Sequence, residues 1–185
     1  KIAGRSTYIS LLSEKPEIEQ KLVRLNKASP WIGDFIIQYP KLIDKMLDDN
    51  FFNEEINLAE IIGQAEDELK RIHKANSSDI EQSLNVIRDV YHLNLFKILT
   101  VGLKNSEPII QISDNLASLT EVILNITFDF SLRASKMEWL KDELAIIAYG
   151  KLGTKEMDIG SDLDLIFLTS EPNAVYQENI YKLIK

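Results

Sequence analysis

From Arg5 to about Met137 apolar residues recur at helical spacing; after Trp139 they gather into two short, continuous runs, Glu143–Tyr149 and Leu163–Leu168. That change of period constrains the fold more than any other feature of the chain. A spacing of three and four residues builds amphipathic helices, whereas a short apolar run bounded by charge and glycine suits a buried strand. The expected architecture is therefore mainly α, with strands confined to the last quarter. We divide it into a helical region over 1–140 and a strand-containing region over 141–185.

About six helices are expected. Thr7 to Ser13 forms a short apolar one, and Pro16 suits the first turn of a second, with Ile18, Leu22 and Leu25 on one face. Ser29-Pro30 reads as an N-cap followed by proline at the first helical position. Tyr39-Pro40 ends that segment and opens another bearing Leu42, Ile43, Met46 and Leu47. Leu58, Ile61, Ile62, Ala65, Leu69 and Ile72 make an amphipathic stripe, with the acids 66–68 as its solvated flank. After a cap at Ser77-Ser78-Asp79, a long helix runs to about Leu103 with Ile80, Leu84, Ile87, Tyr91, Leu95, Ile98 and Leu99 inward. Gly102 and the 105–108 cluster close it. A last long helix spans Ile112 to about Arg133. Ser170-Glu171-Pro172 caps a final one carrying Val175, Ile180 and Leu183. Asp48-Asp49 reads as a helix end, and Trp31 and Trp139 as core anchors.

Two strands alone are too few for a stable sheet, so they must pack on the helices or pair with further strands. The 185 residues, 45% of them apolar, suffice for one domain or two small ones. No apolar run approaches the roughly 20 residues of a membrane span, and no signal peptide is visible. The chain starts Lys1-Ile2-Ala3-Gly4 without an initiator Met, which reads as a piece of something longer. It has no cysteine, which excludes disulfides and thiolate metal sites and suits a cytoplasmic setting. A net charge of −8 argues against a nucleic-acid backbone as main partner.

Chemistry concentrates between Tyr149 and Thr169. Asp162 and Asp164 alternate on an expected strand, so their carboxylates share a face roughly 7 Å apart. Two such anions must bind a cation, meet another positive group, or have one pKa raised. The turn punctuated by Gly150, Gly153 and Gly160 offers bare backbone N–H groups of the kind that cradle phosphate. Together they suggest a magnesium–nucleotide site, since magnesium prefers a few carboxylates plus phosphate oxygens. Lys151 and Lys155 are candidates to offset phosphate charge, or simply solvated loop lysines, and Asp158 reads as an ordinary loop acid or a supporting one near the metals. His73 and His92 lie on separate helices without ligand spacing and read as surface or packing residues.

A strand, a glycine turn and then Ser161-Asp162-Leu163-Asp164 on a second strand resemble the DNA polymerase beta nucleotidyltransferase superfamily. More specifically, Gly-Lys-Leu-Gly-Thr-Lys-Glu and Ser-Asp-Leu-Asp-Leu-Ile-Phe-Leu resemble the signature of the bacterial glutamine synthetase adenylyltransferase family. Arg5-Ser-Thr-Tyr-Ile-Ser-Leu-Leu-Ser-Glu-Lys-Pro16, Ser29-Pro-Trp-Ile, Tyr39-Pro-Lys-Leu-Ile-Asp44 and Ile112-Ser-Asp-Asn-Leu-Ala-Ser-Leu-Thr-Glu121 are similar to the same family. The likeness thus covers nearly the whole chain.

The resemblance implies a helical bundle followed by the first strands of an α/β nucleotidyltransferase domain. It implies a parent enzyme that attaches AMP from ATP to a tyrosine of glutamine synthetase in its second half and removes it by phosphorolysis in its first. The Arg5 to Pro16 segment points to the second, adenylylating half. Asp162 and Asp164 would be catalytic magnesium ligands; Gly150, Gly153 and Ser161 would line the triphosphate side; a PII-type signalling protein would regulate the parent. Two departures stand out. Thr154 occupies a position where the family usually has glycine, and the family's third metal carboxylate lies on a later strand, past Lys185. The 185 residues are accordingly expected to have little transferase activity by themselves. The rival readings are the deadenylylating half and a non-catalytic helical interaction module.

Overall fold

In the computed structural model of the chain, residues 6–53, 56–75, 79–169 and 178 are described. The final helix expected after Ser170 and the Ser77-Ser78 part of the expected cap lie outside them. The described residues are mainly helical: α1 (Ser6–Glu14), α2 (Pro16–Ala28), α3 (Pro30–Gln38), α4 (Leu42–Lys45), α5 (Leu58–Ala75), α6 (Ile80–Asn105) and α7 (Ile109–Ala134) precede β1 (Leu144–Tyr149), a single turn α8 (Gly150–Gly153) and β2 (Asp164–Thr169). The chain divides into two compact units, Lys1–Ile56 with His92–Pro108 and Asn57–Tyr91 with Ile109–Lys185, so α6 contributes to both.

In the first unit, prolines open α2 and α3, where a missing N–H costs nothing. Ser29 holds the N-cap position of α3 in extended conformation, yet its hydroxyl makes no capping bond. Asp48 begins a structure rather than ending one: it accepts from the Asn50 N–H at 2.9 Å and caps a 3-10 turn, Asp49–Phe52. Ile18, Ile32, Ile36, Ile43, Met46 and Phe96 are buried. Trp31 and Phe35 of α3 and Tyr39 at its C-cap, at four-residue spacing, form a ladder with ring centroids 4.7 and 4.8 Å apart, and His92 packs on Tyr39 at 3.8 Å. His92 is thus a packing histidine. α4 is shorter than the spacing implies, and Leu47 beyond it is exposed.

In the second unit, Asn57 and Asp79 cap α5 and α6 by accepting backbone N–H groups with their side chains. Ala65 of α5, Ile87 of α6 and Ile126 of α7 form a core cluster, joined by Leu69, Val90, Val122, Ile123 and Phe130. Ile80, expected inward, is exposed because it sits in the first turn of α6, beyond this cluster. Trp139 is likewise about half exposed; the buried anchor of the 3-10 turn Glu138–Leu140 is Leu140.

Three helices stop by one device. α6 does not end at Gly102, which is buried inside it. It ends where Ser106 turns to φ +54° and the Glu107 N–H returns to the Gly102 carbonyl at 2.9 Å. Lys136 after α7 and Lys155 after α8 repeat this geometry, with the following N–H groups bonded to Leu132 and Lys151. This is the left-handed Schellman stop, here without glycine.

β1 and β2 pair antiparallel, with Leu144 opposite Thr169 and Tyr149 opposite Asp164. The strands are not buried on both faces as the apolar runs imply. Leu144 is buried and Ile146 and Ala148 are half-buried, while Ala145, Ile147 and Tyr149 are exposed, as are Ile166 and Leu168 opposite them. An antiparallel pair can rest one face on a core and leave the other open, and no described residue covers the second face here. The hairpin is tied to the helices through Lys141, 2.8 Å from Asp129 of α7, and through Ser113 of α7, whose hydroxyl donates to the Met157 carbonyl at 2.9 Å.

Core and surface should separate cleanly under mutation. Phe96, fully buried, should cost about 3–5 kcal/mol when replaced by alanine. Ile109→Ala, at an 83% exposed position, should change denaturant unfolding by no more than about 0.5 kcal/mol. Equal effects of the two would contradict this packing.

Candidate functional site

The hairpin register sets up the site. Because Tyr149 ends β1 opposite Asp164, the first residue of β2, the next residue along, Gly150, lies against the Asp164 side chain. Gly150 has φ +59°, and a β-carbon there would collide with the Asp164 carboxylate. The left-handed backbone calls for glycine; the contact is with the end of the Asp164 side chain, so a β-carbon would push that carboxylate aside. Gly153 faces a second close approach, since a β-carbon would come within 2.8 Å of the Ala148 carbonyl oxygen. The two glycines therefore let α8 fold tightly back over the end of β1.

Between α8 and β2 the chain is held by short-range polar bonds. Asp158 is their hub. Its Oδ1 accepts from the Gly160 N–H and the Ser161 hydroxyl, both at 2.9 Å, and its Oδ2 accepts from the Lys151 ammonium at 2.6 Å. Ser161 Oγ in turn accepts the Asp158 N–H at 2.9 Å. The lysine bond, then the Gly160 and Ser161 donors, hold the Asp158 carboxyl down from 3.8 to about 2. Lys151 is raised by its bond to Asp158 and that residue's charge, with a further contribution from the charge of Asp162. Thr154 Oγ1 donates within reach of the Gly150 carbonyl at 3.2 Å and of Glu156 Oε2 at 3.1 Å. The residue that departs from glycine at this position thus adds side-chain bonds to the turn, and Glu156 gains a partner. Lys155 serves the turn through its left-handed backbone.

Of the residues singled out from the sequence, Gly150 and Asp164 meet directly. Asp164 is half-buried at the start of β2; Asp162 is exposed and lies just before the strand rather than in it. Gly153 supports the turn, and Ser161 is engaged by Asp158. Asp158, an ordinary loop acid or a supporting acid near the pair by its sequence, carries a local signal in Asp-Ile-Gly-Ser: its side chain caps the backbone two residues on. Among the described residues no group of three or more acids or histidines is arranged around one point. The pair Asp162 and Asp164 offers hard oxygen donors at an exposed edge. It suits a cation such as magnesium, which takes one or two carboxylates and completes its shell with water and phosphate oxygens.

Residues 19–181 match the sequence model of a family described as glutamate-ammonia ligase adenylyltransferase. The chain belongs to that family. It is 34% identical over 170 residues to a protein of Bordetella pertussis named bifunctional glutamine synthetase adenylyltransferase/adenylyl-removing enzyme, covering 90% of this chain and 18% of the relative. Proteins of the same name from Shewanella loihica, 34% identical over 175 residues (90% of the chain, 18% of the relative), and Ralstonia nicotianae, 31% over 188 residues (99% and 19%), are similar to it as well. The chain spans about a fifth of the length of these relatives. No described helix of this family member is long and apolar enough to cross a membrane.

Two outcomes follow from the geometry. Gly150→Ala should destabilise the chain by about 1–2 kcal/mol for its left-handed backbone alone, with Asp164 displaced besides; an alanine variant as stable as the parent would exclude the tight turn. The Asp158 carboxyl, followed by carbon-detected NMR, should titrate near 2. Since its folded pKa is depressed, the bonds it holds stabilise the loop fully above about 4 and are lost as pH falls through about 2. A midpoint at the ordinary 3.8 would remove the clamp.

Proposed function

We propose that residues 141–185 belong to a polymerase beta-type nucleotidyltransferase domain and residues 1–140 to its helical lead, within the adenylylating half of a cytoplasmic enzyme that transfers AMP from ATP to a tyrosine of glutamine synthetase. The observation that supports this best is the Asp164 carboxylate lodged against Gly150, with Asp162 two residues earlier, in a member of the adenylyltransferase family. The matched relatives are named for both attachment and removal of the adenylyl group. The name of these relatives supports glutamine synthetase as the partner. A PII-type signalling protein is proposed as regulator on the resemblance alone.

In this reading Asp162 and Asp164 hold magnesium, which when bound supplies charge neutralisation to the triphosphate. Gly150 keeps the space beside Asp164 clear. Gly153 and the hydroxyl-bearing Ser161 border the phosphate side, where backbone N–H groups favour anions. Lys151, one residue from Gly150, adds a positive charge close enough to feel Asp162. The reaction joins the tyrosine oxygen to the α-phosphorus of ATP and releases pyrophosphate. Positioning and charge stabilisation, rather than covalent participation by the protein, carry such a transfer.

The test is made in the natural protein that carries these residues. Asp162→Asn and Asp164→Asn should each lower ATP-dependent AMP incorporation into glutamine synthetase by on the order of 100-fold or more and abolish the Mg²⁺-ATP signal in calorimetry. Phosphorolysis of AMP-tyrosine should be spared. If phosphorolysis is lost and adenylylation kept, the chain belongs to the removing half; if neither changes, the aspartates are not catalytic.

A further inference from the structure

We propose that Asp158 is a positioning residue for the Asp162–Asp164 pair, joining the two ends of the segment that presents Asp162. This rests on reading that pair as the cation-binding edge of the proposed transferase. The carboxylate is shared between two places. One oxygen holds Lys151, the residue after Gly150, and so the turn against which Asp164 lies. The other holds the Gly160 N–H and the Ser161 hydroxyl, the latter directly preceding Asp162. Ser161 closes the ring by accepting the Asp158 N–H, and its own N–H reaches the Asp158 carbonyl at 3.3 Å. The ring stands on a firm base, because Met157 is buried and its carbonyl accepts from Ser113 of α7.

Asp162 is exposed and precedes the strand, so β-pairing does not aim it. The Asp158 ring holds Ser161, the residue before Asp162, and Lys151, whose charge reaches Asp162. An exposed ion pair contributes little to stability, and both Asp158 and Lys151 are more than half exposed. Asp158 should therefore matter for the geometry of its neighbours far more than for the fold. Groups that orient a metal ligand without touching the metal commonly change affinity by 10–100-fold.

The natural protein carrying this chain is titrated with Mn²⁺ alone, followed by electron paramagnetic resonance. The part of the binding that Asp162→Asn abolishes belongs to this site. Asp158→Ala should weaken that part by about tenfold with the thermal midpoint unchanged, and exchange of the Gly160 amide should quicken. Asp158→Asn keeps an oxygen for Gly160 and Ser161 but sets an amide NH2, a donor, where Oδ2 accepted from Lys151; with one end of the tie kept, it should weaken binding by no more than about fivefold. Wild-type Mn²⁺ affinity in Asp158→Ala, with Asp162→Asn still deficient, overturns the inference and leaves the site reading intact. An unfolded Asp158→Ala protein also overturns it, since the side chain would then support the fold. If Asp162→Asn itself binds normally, the site reading falls and takes this inference with it.

Discussion

The pairing of Tyr149 with Asp164 governs the rest of the site. A strand pair has a period of two, and a slip of one residue would send every side chain to the other face. It would carry Asp164 away from Gly150 and exchange the half-buried Ile146 and Ala148 with the exposed Ile147 and Tyr149. Burial of Leu144 at one end and the glycine contact at the other thus specify the same register. Packing and the position of Asp164 beside Gly150 are set by one choice.

The 14 residues from Gly150 to Leu163 between the strands are long for a hairpin connection. They hold their shape with two kinds of anchor. Leu152 and Met157 are buried, and the Met157 carbonyl is held by Ser113 of α7. Between and beyond them, Thr154, Asp158 and Ser161 satisfy backbone groups locally. The left-handed Lys155 is tolerated because the Schellman bonds to Lys151 and Leu152 compensate for its backbone cost. Exposed polar bonds of this sort add little to global stability, but they restrict where a neighbouring carboxylate can stand.

Helix existence and order were legible from periodicity, because stripes such as Ile61, Ala65 and Ile72 describe a face that only a helix presents to a core. Which members of a stripe end up inside was less legible. Ile80 and Leu47 belong to apolar patterns yet are about half exposed among the described residues, and Trp139 yields its inward position to Leu140. The end of α6 falls in the expected 105–108 cluster and not at Gly102, because a Schellman stop needs only a residue able to turn left-handed. Ser106 does so after the helix has passed the glycine. The apolar runs announced strands but not that one face of the hairpin would lack a cover among the described residues.

The site shows a similar division. Asp162, Asp164 and the glycines are visible as a spacing, since their roles follow from a strand's alternation and from missing side chains. Asp158 is not visible in that way: its value comes from a turn that brings residues 151, 160 and 161 to one carboxylate. An aspartate beside two others would ordinarily add to their repulsion. Here its charge is taken up by Lys151 and two further donors, and the same lysine lies within electrostatic reach of Asp162. A third carboxylate near the pair can therefore order the loop without competing for the cation the pair is proposed to bind. Lys151 limits the accumulated negative charge before any ligand arrives.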